Sequence, residues 1–215
     1  RLVKCLSMRV RLLASSAADL LRGACAGLLD LVYPPHCLTC GRAGECYLCA
    51  KCIESITLLE PPECRTCGIP CESGQCTGCR GRSFAFAAAR SAGAFEGVLR
   101  DAVHKLKYRG HRMLAPPLAE IMARQFGRTP FATRIDAAVA VPIHRRRTAQ
   151  RGFNQAEELA KVFCSRLGIE LLGGVLVKPR ETRHQVDLPH DERPANVRQN
   201  RNQCKKGMDS QHDYN

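Results

Sequence analysis

Eight of the fourteen cysteines in this 215-residue chain fall into a tandem repeat, which constrains the fold more than any other feature. Pro34-Pro35-His36-Cys37-Leu38-Thr39-Cys40-Gly41 recurs as Pro61-Pro62-Glu63-Cys64-Arg65-Thr66-Cys67-Gly68, an offset of 27 residues. Cys49 and Cys52 map onto Cys76 and Cys79 at the same offset, so each unit reads C-x2-C-x8-C-x2-C. Two thiolates three residues apart grip one ion from a tight turn, and a second such turn closes a tetrahedral site. The Gly after each first pair supplies the backbone freedom such a turn needs. We therefore expect two structural zinc ions, held by Cys37, Cys40, Cys49, Cys52, Cys64, Cys67, Cys76 and Cys79. Full thiolate sets leave no open position for catalysis. Spacing alone leaves the pairing open: one repeat per ion, or two repeats interleaved. Cys46 would map onto Ser73 and Cys71 back onto Gly44, so both read as spare. His36 faces Glu63 in the repeat and is not required as a ligand. Cys5, Cys25 and Cys164 read as small hydrophobes, and Cys204 is isolated. A segment of about 45 residues has too little core to fold without metal.

Composition places the rest of the chain. Hydrophobic residues at 45% and charged residues at 25% exclude a disordered protein. The most apolar stretch, Leu12 to Val32, is interrupted by Asp19, Arg22 and Asp30, whereas a membrane span needs about 20 apolar residues. No uncharged apolar run there exceeds seven residues, the lower limit for the core of a secretory signal, so none is expected. Leu12, Leu13, Ala17, Leu20, Leu21, Ala24, Leu28 and Leu31 recur at three and four, the spacing of an amphipathic helix. Met8 reads as the expected start, with residues 1–7 as upstream extension, and the chain is expected to be cytoplasmic. There clustered thiols bind metal rather than form disulfides, the competing reading of the repeat.

Basic residues exceed acidic ones by 13, and the stretch Arg100 to Arg151 holds 12 basic against 3 acidic residues. That concentration calls for an anionic partner, with a solvated basic face as the alternative. Past Gly81 the composition turns Ala- and Leu-rich. Phe84 to Phe95 is expected to supply one or two strands, and Leu99, Val103 and Leu106 a short helix ending near Gly110. Leu114 to Phe126 reads as a helix, with Pro116-Pro117 in its first turn and Gly127 past its end. Ala137 to Val141 is an apolar run suited to a strand buried on both faces. A basic loop then carries Arg145, Arg146, Arg147 and Arg151. Asn154, with Glu157 three residues on, predicts a capping box for a helix that Gly168 ends. Leu171 to Val177 predicts a second buried strand. Strand, basic loop, helix and strand make a βαβ unit with parallel strands, and ligands bind at the carboxyl ends of such strands.

These residues resemble the ComF family, with likeness from about Tyr33 to Arg198. It is carried by the zinc repeat, Leu106-Lys107-Tyr108-Arg109-Gly110, Val141-Pro142-Ile143-His144-Arg145-Arg146-Arg147 and Arg151-Gly152-Phe153-Asn154-Gln155-Ala156. Gln185 with Arg193, Asn196, Val197 and Arg198 extends it. The resemblance implies an α/β protein: a double zinc ribbon joined to a domain like type I phosphoribosyltransferases. It also implies a link to DNA uptake in competence, with DNA-uptake proteins as partners. The implied organisation is an N-terminal helix over 1–33, the ribbon over 34–82, the transferase-like part over 83–198 and a foreign, disordered tail over 199–215. By the same resemblance, Arg145, Arg146, Arg147 and Arg151 would neutralise the pyrophosphate of phosphoribosyl pyrophosphate bound with Mg²⁺. Asn154 and Gln185 complete the candidate phosphate-binding set, with Arg183 and Gln185 on a lid.

One part of that pattern is missing. The transferases hold phosphoribosyl pyrophosphate with a strand, two adjacent acids and a turn ending in Thr-Gly. Here the adjacent acids are Glu157-Glu158 and Asp191-Glu192, and the one Thr-Gly is Thr77-Gly78 inside the ribbon. The loop belongs after residue 198, where Gln199 to Asn215 offers nothing from which a strand can be drawn. The expectation is a C-terminally truncated or frame-shifted chain, inactive as written; a natural short variant is the milder form. Two readings stand: a phosphoribosyltransferase-like enzyme, or a non-enzymatic zinc-ribbon protein that binds single-stranded DNA or another phosphate-rich ligand. Aromatics at 5%, without Trp, argue against an extended base-stacking platform and leave backbone binding open.

Overall fold

The computed structural model describes residues 36–44, 46–183, 187–189, 191–198 and 203–204; the helix expected in 1–33 lies outside them. The chain forms two compact units that divide after His104.

The first unit is laid out on two copies of one backbone plan. In the first copy the N–H of Cys37 donates to the Arg42 carbonyl (2.8 Å), that of Gly41 to Cys37 (2.8 Å) and that of Leu38 to Tyr47 (2.9 Å). In the second, Cys64 donates to Ile69 (2.8 Å), Gly68 to Cys64 (2.9 Å) and Arg65 to Gly74 (3.0 Å). Single antiparallel bridges join His36 to Ala43 and Glu63 to Pro70. Gly41 and Gly68 sit at φ +74° and +71°, left-handed backbone that side chains with a Cβ rarely adopt. Beyond the third cysteine the copies differ. Ala50–Glu54 forms a one-turn helix, α1, whereas Thr77-Gly78-Cys79-Arg80-Gly81 only turns. Two glycines in five positions account for this, since each costs about 1 kcal/mol in a helix.

Residues 89–94 lie as a strap along the segment 57–59 that joins the copies and along the second copy. Ala94 donates to Thr57 (2.8 Å), Leu59 to Ala92 (3.4 Å) and Ala89 to Thr66 (2.7 Å), while Leu58 and Gly93 form an antiparallel bridge. Arg90 Nε stands 2.7 Å from Glu63. The strands expected between Phe84 and Phe95 are therefore replaced by single bonds to the ribbon. This Ala-rich segment offers no alternating apolar face to hold a ladder.

Helix α2, Gly97–Tyr108, matches the expected helix and stops before Gly110, at φ +70°. In the second unit α3, Ala115–Phe126, has Pro in its first turn and Gly127 at its C-cap, as the sequence predicts. It buries Leu118, Ala119, Ile121 and Ala123 and packs on α5, Gln155–Leu167. Phe126 meets Phe163 edge-on at 5.3 Å, and Arg166 pairs with Glu120. Asn154 caps α5 by accepting the Ala156 N–H (3.0 Å), and Gly168 ends it at φ +68°. The capping box is incomplete, because the Glu157 carboxylate pairs with Lys161 (3.3 Å).

Strand β1, Ala137–Ala138, pairs in parallel with β2, Glu170–Leu171, in register Ala137 with Glu170 and Ala138 with Leu171. This is the βαβ pairing expected, but far shorter. Val139 and Val141 are exposed rather than buried, because among the described residues β1 pairs with β2 alone and nothing covers the rest of its run. The predicted strand Leu171–Val177 is split in two by Gly173-Gly174, with Gly174 at φ +70°. Its second piece, β3 at Leu176–Val177, pairs antiparallel with β4, Gln203–Cys204. The sequence led us to expect no strand beyond Gln199. An open strand edge, however, pairs with extended backbone whatever its side chains. The unit is mixed α/β, with helices on small two-stranded sheets. Helix α6, Arg193–Arg198, follows Leu188, which is buried.

Candidate functional site

Each repeat closes on itself. The sulfurs of Cys37, Cys40, Cys49 and Cys52 lie within 4.8 Å of one another, as do those of Cys64, Cys67, Cys76 and Cys79. This settles the pairing left open by spacing: one ion per repeat, not interleaved. Four sulfurs about 2.3 Å from a zinc ion stand about 3.8 Å apart at the corners of a tetrahedron. The observed separations are 3.7 Å for Cys37–Cys52, 3.7 Å for Cys40–Cys49 and 3.6 Å for Cys67–Cys76. A disulfide would need about 2.05 Å, and none of the eight is bridged. The donor set and its dimensions fit two structural zinc ions, each with four protein ligands. No further cluster with metal-binding geometry occurs among the described residues.

The backbone prepares one thiolate in each set. Burial pushes the Cys37 thiol up, but N–H groups of Cys40, Cys49 and Thr39 outweigh it and bring the thiol down to about 6. The Cys49 N–H lies 3.4 Å from Cys37 Sγ. At the matching position, N–H groups of Cys67 and Cys76, with Thr66, lower Cys64 to about 6 against a smaller effect of burial. The last cysteine of each set goes the other way. Burial and the neighbouring thiols raise Cys52, and the same causes raise Cys79 to about 12. Such thiols lose their protons only when a cation takes their place. Outside the sets, Cys46 takes part in a disulfide and Cys71 hydrogen-bonds Ser73 (3.2 Å). Cys164 is buried in α5, and burial raises its thiol, as befits a small hydrophobe.

The arginine-rich segment is a helix, not the loop the sequence predicted. Arg145–Arg151 forms α4, with His144 Nδ1 accepting the Arg146 N–H (3.4 Å) and Gly152 ending it at φ +78°. Arg, Gln and Ala are good helix formers, so the segment helices where nothing opposes it. Arg145 is exposed. Arg146 pairs with Glu181 (3.3 Å), an acid the local sequence did not show beside it. Arg147 donates to the Thr182 carbonyl (2.6 Å). Arg151 lies over the Tyr108 ring at 5.4 Å and donates to Gln155 Oε1 (3.3 Å). Asn154 Nδ2 donates to the Val141 carbonyl (3.1 Å), so this side chain ties the end of the β1 run to α5. Gln185 lies outside the described residues, while Arg183 accepts from Asn196 through its carbonyl (3.2 Å). Sequence reasoning missed Lys178 and Thr182, which face the same helix; Lys178 Nζ donates to Thr182 Oγ1 (3.1 Å).

A family model described as a double zinc ribbon domain matches residues 28–84. No curated protein and no solved structure matches the chain. No helix among the described residues is long and apolar enough to cross a membrane.

Proposed function

We propose that this chain is a non-enzymatic zinc-ribbon protein whose second unit binds a phosphate-rich ligand, single-stranded DNA being the form tested first. The zinc ions are structural in this reading, because each has four protein ligands and no open position. The observation that carries it is α4. Four arginines lie on one seven-residue helix with no acid inside it, and Arg145 has no ion-pair partner among the described residues. Such a concentration of positive charge attracts polyanions and releases their counterions on binding. Replacing Arg145 and Arg146 with Ala should weaken binding to single-stranded DNA and reduce its log–log salt slope by about 1.4, at about 0.7 per lost phosphate contact. An unchanged slope would reduce the helix to a solvated face.

A second reading keeps the ComF-like phosphoribosyltransferase. One observation favours it: β1 and β2 are parallel, and the arginine helix follows the carboxyl end of β1, where ligands of open α/β sheets bind. In it Arg145, Arg146, Arg147 and Arg151 would meet the pyrophosphate of phosphoribosyl pyrophosphate with Mg²⁺. The acid pair that would hold the ribose hydroxyls and the Thr-Gly turn that would grip the 5′-phosphate are not found at the matching place in these 215 residues. Turnover separates the readings, since either would bind phosphoribosyl pyrophosphate: Mg²⁺-dependent release of pyrophosphate from it, with water as the acceptor, would restore the transferase.

A further inference from the structure

We propose that Arg147, Lys178 and Thr182 form a binding site for one phosphate dianion, the chemistry shared by inorganic phosphate and a phosphate monoester. The inference rests on the phosphate-ligand reading above and narrows it to a place and a charge state. Arg147 comes from α4, whereas Lys178 and Thr182 come from the segment that follows β3. Both cations converge on one threonine: Arg147 Nη2 donates to its carbonyl (2.6 Å) and Lys178 Nζ to its hydroxyl (3.1 Å).

Both acceptors are uncharged. The acid next to them in sequence, Glu181, is pointed at Arg146 instead (3.3 Å). No carboxylate pairs with Arg147 or Lys178 among the described residues. Both side chains are half-buried, so water screens their repulsion only in part. Burial and the Arg147 charge together push the Lys178 ammonium below its ordinary range. Two half-buried cations at one threonine, without an anion, cost free energy that an anion between them returns. Arg supplies a planar fork for two oxygens, and Lys has two further N–H donors as a point charge for a third. A monoester carries −1.5 to −2 at about pH 7 and answers two positive charges, whereas a backbone diester carries only one.

The test is isothermal titration of the full chain with inorganic phosphate, and with a short single-stranded oligonucleotide with and without a 5′-phosphate. Inorganic phosphate should bind, and Lys178→Met should weaken it at least tenfold, with Lys178→Arg restoring most of the affinity. Tighter binding of the 5′-phosphorylated strand would assign the terminal monoester. Binding of inorganic phosphate without that gain would assign the free ion, and the site stands in both cases. Thr182→Val, which removes the hydroxyl that holds Lys178 in place, should weaken phosphate binding if Lys178→Met fails to fold. No binding of inorganic phosphate, or a folded Lys178→Met chain that binds it as the parent does, would overturn the site. If the Arg145→Ala, Arg146→Ala chain then lost affinity for the unphosphorylated strand, the wider reading would survive without this site.

Discussion

Moving 27 residues along the chain, from Cys37 to Cys64, reproduces the turn bonds, the left-handed glycine, the sulfur spacing and the lowered first thiol. Moving the same distance from the surroundings of the first repeat does not reproduce its support. The first repeat keeps a one-turn helix and buries Leu48 and Ile56 beside its cysteines. The second has no such helix, and Ile69 is exposed. It leans instead on the strap, through Ala89 to Thr66 and Arg90 to Glu63. Metal ligation fixes the geometry of its own turns and leaves the means of supporting them free. Each repeat has solved that second problem with what lies nearby.

The largest expected effect treats the repeats alike. Chelation of zinc should unfold both, because about 10–16 kcal/mol of binding free energy is folding free energy in such sites. Cys40→Ser and Cys67→Ser should each lower zinc content from two equivalents to about one, whereas Cys71→Ser should leave it at two; elemental analysis reads all three. Retention of two equivalents by either ligand variant would break the scheme of one ion per repeat.

Acid should also act on both together. Cys37 and Cys64 are lowered from 9.0 to about 6, so their thiolates favour the folded form above the ordinary value. That contribution is lost as pH falls through about 6, and bound zinc displaces the loss to lower pH still. Zinc release followed with a colorimetric chelator should therefore fall in one pH window, and two separated steps would show that the repeats differ in their metal chemistry as well as their support.

Glycine substitution should separate them. A Cβ at Gly41 meets nothing within 4 Å, whereas one at Gly68 would stand 2.7 Å from the Ala89 carbonyl oxygen and 3.3 Å from Arg90 Cα. Gly41→Ala carries only the left-handed backbone cost of about 1–2 kcal/mol. Gly68→Ala should cost about 3 kcal/mol or more, since it must also displace the strap. Equal midpoints in chemical denaturation would mean that the strap yields freely. The smallest effect is reciprocal: Lys51→Gly should lose about 1 kcal/mol from α1. Gly78→Ala, whose Cβ would meet only Cys76 Sγ at an ordinary 3.9 Å, should gain about 0.5 kcal/mol.

The same contrast explains what could be read from the sequence. Ligand spacing is dictated by the ion, so all eight cysteines were legible; their pairing was not, because both schemes obey one spacing. The ends of α3 and α5 were legible in Pro116, Gly127, Asn154 and Gly168, whose chemistry acts within a few residues. Helix α4 was hidden because three adjacent arginines advertise their charge more loudly than their propensity. The Ala137–Val141 run signals burial but says nothing of how many strands will cover it. The double zinc ribbon was found independently in residues 28–84, while the transferase-like part rests on resemblance alone. Glu181, Lys178 and Thr182 reach α4 only through the fold, from more than thirty residues away.

The strap carries a lesson for anyone who would move this ribbon into another protein. It is sewn on through main-chain groups of Ala89, Ala92, Gly93 and Ala94, helped by Arg90 on Glu63, and a Cβ at Gly93 would stand 2.9 Å from the Thr57 carbonyl oxygen. The likeness to the double zinc ribbon domain ends at residue 84, before the first of these stitches. The transplantable piece is longer than the recognisable one, and its cut belongs after Glu96, which accepts from the Thr57 hydroxyl at 3.0 Å. A graft trimmed to the motif would carry every ligand and leave the second repeat without the seam that holds it.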